Sequence, residues 1–341
     1  MSAIPTPHRA LGPFSVGPVG LGCMNLCHAY GPPLAEAEAL ALLQRALDLG
    51  VDHFDTAALY GFGASERLVG RALKAERSRV TLVSKGGMAG ATGSDGVMRR
   101  VIDGRPEAIQ RHCEDSLQRL GTEVIDLYYL HRWDQRVPIE DSVGALARLV
   151  DQGKVRAIGL SEVSAPTIRR AHAVHPIAAV QTEYSLWTRN PEIAVLRTCR
   201  EIGAAFVAFS PLARAFLTNT LHDPSTLDEK DLRRAMPRFQ PEAYAANLKL
   251  LPPYLAIAQE VGCSPAQLAL AWLLAQGEHV HVIPGTAKVT HLKDNVGAAG
   301  VQLTPDQVRR LDALINPRTV TGLRYSPASQ ADVDTEEFQP R

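Results

Sequence analysis

The sequence predicts a single α/β domain folded as a closed (β/α)8 TIM barrel, with long βα loops at its C-terminal face. Three observations lead there. Short β-branched runs alternate with longer amphipathic stretches eight times along the 341 residues. Helical segments between successive strands require crossovers, hence a parallel sheet. The glycines near the first strand run Gly17-x-x-Gly20-x-Gly22, the wrong order for the dinucleotide fingerprint of an open doubly wound sheet, and no Walker A string is present. The domain is expected to span 1–341, with a core at about 9–315 and a tail at 316–341.

The strands are expected at 16–23, 51–56, 80–85, 124–131, 155–161, 178–182, 204–210 and 280–284. Helices are expected at 36–49, 65–73, 106–120, 138–151, 166–174, 191–202 and 264–275. Their ends carry helix punctuation: Pro106 opens one and Gly121 stops it, while Ser264-Pro265 starts the last. Two insertions interrupt the pattern, a glycine-rich loop at 86–104 and a polar one at 212–247. Both leave the C-terminal ends of strands, where barrel enzymes assemble their sites.

Composition narrows the function. Lys+Arg and Asp+Glu both total 36, so bulk charge favours neither nucleic acid nor a membrane surface. The first nine residues lack the apolar core of a signal peptide, and no apolar run nears the roughly 20 residues that span a bilayer. The five cysteines are scattered, which fits a reduced, cytoplasmic setting. No metal site is expected: His279 and His281 alternate on one strand without a third ligand, and Cys23 and Cys27 lack a second pair. The charged run at 228–234 reads as a solvated face.

In a barrel, polar residues at strand C-termini face the mouth. Asp55, with Tyr60 five residues on, then Lys85 and His131 fall there on three adjacent strands. Together they make a proton-donating device. A phenol with a pKa near ~10 is a sluggish acid at neutral pH. An ammonium at Lys85 favours its phenolate, and Asp55 keeps that ammonium charged. His131 would orient a carbonyl and steady the alkoxide that forms. None of the four supplies a hydride, so a redox cofactor is required.

The string Phe54-Asp55-Thr56-Ala57-Ala58-Leu59-Tyr60-Gly61, followed by Ser65-Glu66-x-Leu68-Val69-Gly70, resembles the aldo-keto reductase signature. So do Asp126-Leu127-Tyr128-Tyr129-Leu130-His131-Arg132, Gly153-Lys154-Val155-Arg156, Ser210-Pro211-Leu212-Ala213-Arg214 and Ile283-Pro284-Gly285-Thr286. The chain is similar in particular to the bacterial, plant and fungal aldehyde and ketone reductases of that family.

The resemblance implies the catalytic set Asp55, Tyr60, Lys85 and His131, with Tyr60 as general acid. It implies NADPH/NADP+ as cofactor, with NADH as the alternative because Ala287 stands where relatives often carry a base. Ser161 and Gln181 would hold the nicotinamide carboxamide, and Phe209 would stack on its ring. Ser210, Leu212 and Arg214 would wrap the pyrophosphate, and Cys23 and Met24 would touch the cofactor from the first strand. Gly285, Thr286, Lys288 and His291 would take the 2′-phosphate segment, with Asp294 and Asn295 at the adenine. Tyr60, His131, Trp133 and Trp187 are the expected substrate contacts. The implied reaction is reversible reduction of an aldehyde or ketone. Two rivals are a nucleotide-sensing regulatory subunit on the same barrel and a hydrolase using Asp55 and His131, which leaves 285–295 without a role.

Overall fold

A computed structural model describes residues 7–27 and 29–338. The chain opens on an antiparallel hairpin, β1 (Arg9–Leu11) with β2 (Phe14–Val16). Barrel strands β3 (Leu21–Gly22), β4 (His53–Asp55) and β5 (Thr81–Gly86) follow. A second hairpin, β6 (Met88–Thr92) with β7 (Met98–Ile102), leaves the end of β5. Strands β8 (Ile125–Leu130), β9 (Val155–Ser161), β10 (Ala179–Glu183), β11 (Ala205–Phe209) and β12 (Val280–Val282) complete the set.

The eight-stranded sheet runs β12-β11-β10-β9-β8-β5-β4-β3, all parallel. Parallel bridges Val19–Val282 and Gly22–Gly285 join its two edges. The sheet is closed, as the sequence predicts.

Helices α1 (Glu36–Asp48), α2 (Ala64–Leu73), α3 (Pro106–Leu120), α4 (Ile139–Asp151), α5 (Ala165–Val174) and α6 (Val195–Ile202) link the strands. Then come α7 (Pro241–Leu248), α8 (Leu251–Val261), α9 (Pro265–Leu274), α10 (Val289–Gly297), α11 (Pro305–Leu314) and α12 (Pro327–Gln330). Local chemistry sets their ends. Proline opens α3 and left-handed Gly121 closes it, while Ser264 with Gln267 and Thr304 with Gln307 form capping boxes.

Strand alternation divides the core into two layers. Val83, Leu127, Tyr129, Ala157, Ala179, Ala205 and Val207 fill the barrel interior with Leu11 and Val16 of the first hairpin. Phe54, Leu82, Tyr128, Leu130, Ile158, Val180 and Phe206 face outward, against the helices. The same parity places Asp55, Lys85, Ser161, Gln181 and Phe209 on the inward set at the strand ends, with His131 one step past β8. Period two thus carries the expected site residues to the mouth.

Some expectations are corrected. The first strand, expected at 16–23, is two pieces: Val16 ends a hairpin, and the regular barrel strand is only Leu21–Gly22, with Val19 joined to β12 by a single bridge, because Pro18 and the flanking glycines interrupt the ladder. The 86–104 loop is largely the β6–β7 hairpin, and 212–247 contains short 3-10 turns and α7. Helices α8, α10, α11 and α12 likewise lie beyond the seven expected. Among the described residues, no helix is long and apolar enough to cross a membrane.

Candidate active site

The strand ends open on a cavity of about 760 Å³. Behind its lining residues Asp55 and Tyr60, buried Lys85 donates to the Asp55 carboxylate, to the Thr56 carbonyl at 2.9 Å and to the Tyr60 hydroxyl at 3.3 Å. The second Asp55 oxygen accepts from Gln181 Nε2 at 2.7 Å. A buried charge is tolerable only when paired and hydrogen-bonded, and both conditions are met here.

Tyr60 reaches this pair from a tight turn after β4. The turn needs Gly61, whose φ of +56° is left-handed and whose added Cβ would lie 2.9 Å from Cys27 Sγ. Lys85 Nζ stands 4.9 Å from the Tyr60 ring centre, and the His131 ring meets that ring edge-on at 5.8 Å. Three strands and one turn therefore converge on a single hydroxyl.

Electrostatics refine the sequence reading. Burial opposes the Lys85 ammonium, but Asp55 and Tyr60 together more than offset this and hold its pKa above the ordinary lysine value. Burial likewise pushes the Tyr60 phenol up, and Lys85 pulls it back without cancelling the rise. The expected sharpening of the acid is present, yet desolvation outweighs it in the free protein.

The cavity collects most of the expected cofactor set: Met24, Asp55, Ser161, Gln181, Phe209, Ser210, Leu212, Arg214, Gly285, Thr286, Lys288, His291, Asp294 and Asn295 all line it. Around 210–215 the backbone is contorted, with φ between +48° and +78° at Ser210, Ala213, Arg214 and Ala215. Arg214 is already engaged, donating to Glu183 at 2.8 Å and to the Tyr30 hydroxyl at 2.9 Å. Asp294 accepts from Ser264 Oγ at 2.7 Å.

Three expected contacts lie elsewhere. Cys23 is fully buried and absent from the lining, its backbone N–H tied to the Asp55 carbonyl at 2.8 Å. Trp133 donates to the Val137 carbonyl at 2.9 Å, outside the cavity. Trp187 is core, stacked on Phe216 at 4.2 Å and flanked by Phe239. Large aromatics bury themselves wherever the core admits them, which overrode the sequence reading. His281, a rejected metal candidate, sits edge-on to His53 with Nε2 3.0 Å from the Ala10 carbonyl.

Further lining residues carry no individual expectation from the sequence. The tail lies over the mouth: Tyr325, Ser329, Asp332 and Val333 line the cavity beside Asn25, Tyr30, Met88, Arg100 and Arg132. Arg324 donates to the buried carboxylates of Glu162 at 2.5 Å and Glu183 at 3.3 Å, and Tyr325 donates to Glu183 at 3.0 Å. Asp332 pairs with Arg100 of β7. No local pattern announces pairs between residues over 140 positions apart; an Arg-Tyr dipeptide in an otherwise polar tail is the only cue.

Comparison with known proteins agrees with this geometry. A sequence model of the aldo/keto reductase family matches residues 18–316. A probable aldo-keto reductase of soybean, Glycine max, is 44% identical over 313 residues, covering 92% of this chain and 89% of the relative. Among solved structures, a glycerol dehydrogenase from Gluconobacter oxydans aligns with TM-score 0.83 at 29% identity, over 96% of this chain and 99% of that one. An aldo/keto reductase from Klebsiella pneumoniae, in complex with NADP and acetate, aligns with TM-score 0.70 at 26% identity, over 94% and 99%. Matched by the family's model over residues 18–316 and by relatives along nearly its whole length, the chain belongs to the aldo/keto reductase family.

Proposed function

We propose that this protein reduces aldehyde or ketone carbonyls to alcohols with NADPH, and runs the reverse oxidation, with Tyr60 as general acid. The observation that carries the reading is the Tyr60 hydroxyl, at the wall of the cavity, 3.3 Å from a buried ammonium that is itself bound to Asp55.

The cavity's chemistry suits a dinucleotide. Among the described residues Asn295 Oδ1 is buried without a hydrogen-bond partner, an acceptor available to an adenine amino group. Gly22 and Gly285 meet closely: a Cβ on Gly22 would lie 2.7 Å from the Ile283 carbonyl, which keeps this wall flat backbone. Lys288 and His291 line the same end, and neither is in a salt bridge among the described residues, leaving both for a 2′-phosphate. The Klebsiella pneumoniae relative solved with NADP supports the same cofactor.

When bound, the cofactor supplies a hydride to the carbonyl carbon. The Tyr60 proton goes to the carbonyl oxygen, so carbon and oxygen gain one hydrogen each. Lys85 stabilises the phenolate left behind, until solvent restores its proton. His131, beside the phenol, orients the oxygen. Gln181 and Ser161, at neighbouring positions on β10 and β9, would hold the carboxamide, and Phe209 offers a ring face to the nicotinamide.

Replacing Tyr60 by Phe tests this. Carbonyl turnover, followed as NADPH consumption, is expected to fall at least ~10²-fold, the range of a lost general acid. NADPH affinity, followed by fluorescence quenching, is expected to stay within about threefold. Undiminished turnover would remove Tyr60 from the mechanism.

A further inference from the structure

We infer that Arg132 is a carboxylate anchor, and that the preferred substrates are carbonyl compounds carrying an acid group on a short apolar chain. The inference rests on the reductase reading above and adds to it the substrate class.

Arg132 follows His131 directly, at the end of β8, and lines the cavity. Its Nη1 donates to the His131 carbonyl at 2.6 Å and to Ser161 Oγ at 3.1 Å, which holds the guanidinium beside the reacting end. Its charge also reaches the Tyr60 phenol, lowering the pKa against the effect of burial. Among the described residues, Nε and Nη2 make no hydrogen bond and the side chain meets no carboxylate within salt-bridge distance. Two adjacent donors of the guanidinium fork thus stay available, the geometry that accepts a carboxylate on both oxygens.

The other cations at the mouth are committed. Arg100 pairs with Asp332, Arg214 with Glu183 and Arg233 with Asp231. Lys85 is neutralised by Asp55. Lys288 and His291 follow β12, which stands four strands from β8 in either direction around the closed barrel. On the catalytic side Arg132 therefore leaves a positive charge without a fixed counterion. A low-dielectric cavity magnifies such a charge, and an anionic group on the substrate is what balances it. The surrounding wall includes Met24, Leu59, Met88 and Val333, which suits an aliphatic chain between acid and carbonyl.

Two aldehydes that differ only in charge test the inference: 4-oxobutanoate and its methyl ester, each assayed by NADPH consumption. In the wild-type protein kcat/KM for the acid is expected to exceed that for the ester at least ~10-fold, the worth of one charged hydrogen-bonded contact. R132M is expected to lower the acid-to-ester ratio at least ~10-fold, mainly through KM for the acid, and R132K to lower it less. A wild-type ratio near one would overturn the inference, and that readout needs no variant to fold. So would an R132M protein in which both aldehydes decline equally, since Arg132 would then merely brace Ser161. Should other carbonyls consume NADPH while neither aldehyde does, the anchor alone fails. Should no carbonyl do so, the reductase reading fails and the anchor with it.

Discussion

The mouth of this barrel holds two buried clusters of opposite charges, and they are put to different ends. The first, Asp55 with Lys85, joins two neighbouring strands and is 30 positions apart in the chain. The second joins Glu162 and Glu183, at the ends of β9 and β10, to Arg324 and Tyr325 of the tail, more than 140 positions away. In the tail cluster almost every lone pair is used: Glu162 also accepts from Thr335, and Glu183 from Arg214 and Thr188. In the strand cluster Lys85 keeps a third direction for the Tyr60 hydroxyl. A saturated cluster can only fasten, whereas one with a donor directed into a cavity can take part in chemistry.

Removing one partner of each cluster sharpens this contrast. The largest effect is expected for Lys85→Met, which strands Asp55 as a buried charge and destabilises the fold by about 3–5 kcal/mol. Turnover should fall at least ~10²-fold as well. Adding Asp55→Asn to that variant is expected to recover most of the stability in urea unfolding but none of the activity. Recovery of both would show that the pair is merely structural.

A smaller cost, about 2–3 kcal/mol, is expected for Arg324→Leu, because Glu183 keeps Arg214 and Glu162, though it loses its arginine, keeps hydrogen bonds from the Glu183 N–H and from Thr335. Here KM for the carbonyl should rise several-fold while kcat stays within about twofold, and the tail should become sensitive to limited proteolysis. A fall in kcat matching that of Tyr60→Phe would erase the distinction between the clusters.

The weakest effect comes from His53, which is buried without any hydrogen-bond partner among the described residues and so lacks what both clusters have. Burial, with His281 adding to it, depresses its pKa to about 3. A depressed histidine is neutral in the fold and protonated when unfolded, so its stability is fully present above about pH 6.5 and is lost as pH falls toward 3. The Glu183 carboxylate, lowered to about 2 by its arginines against burial, contributes stability that is lost only below about pH 4.5. Between about pH 6 and 4.5, His53→Leu should therefore flatten the loss of stability by up to about 1.4 kcal/mol per pH unit. An unchanged slope across that window would show that His53 gains a proton partner in the fold.

Legibility in the sequence followed the distance over which each feature is encoded. Barrel strands and their inward parity were readable because period two is local, so Asp55, Lys85, His131, Ser161, Gln181 and Phe209 could be assigned to strand ends from spacing and motif together. The short β3 was misjudged because its residues pair with β12 at the far end of the chain, and Gly17 and Pro18 carry little strand signal. The β6–β7 hairpin was hidden by the glycines that make its turn. Trp133 and Trp187 drew attention as large aromatics near the site, yet packing took them into other surroundings.

What the sequence determined by itself was the alternation that closes the barrel and the identity of the groups brought to its mouth, since both are written in side-chain period and in short strings read within one βα unit. Only the tertiary structure decided the balance of those groups. Whether Tyr60 is an easier acid depends on desolvation against the reach of one ammonium, and whether Arg132 is free to bind depends on which carboxylates the tail and loops carry past it. Those are sums over neighbours in space, and neighbours in space are not neighbours in the chain.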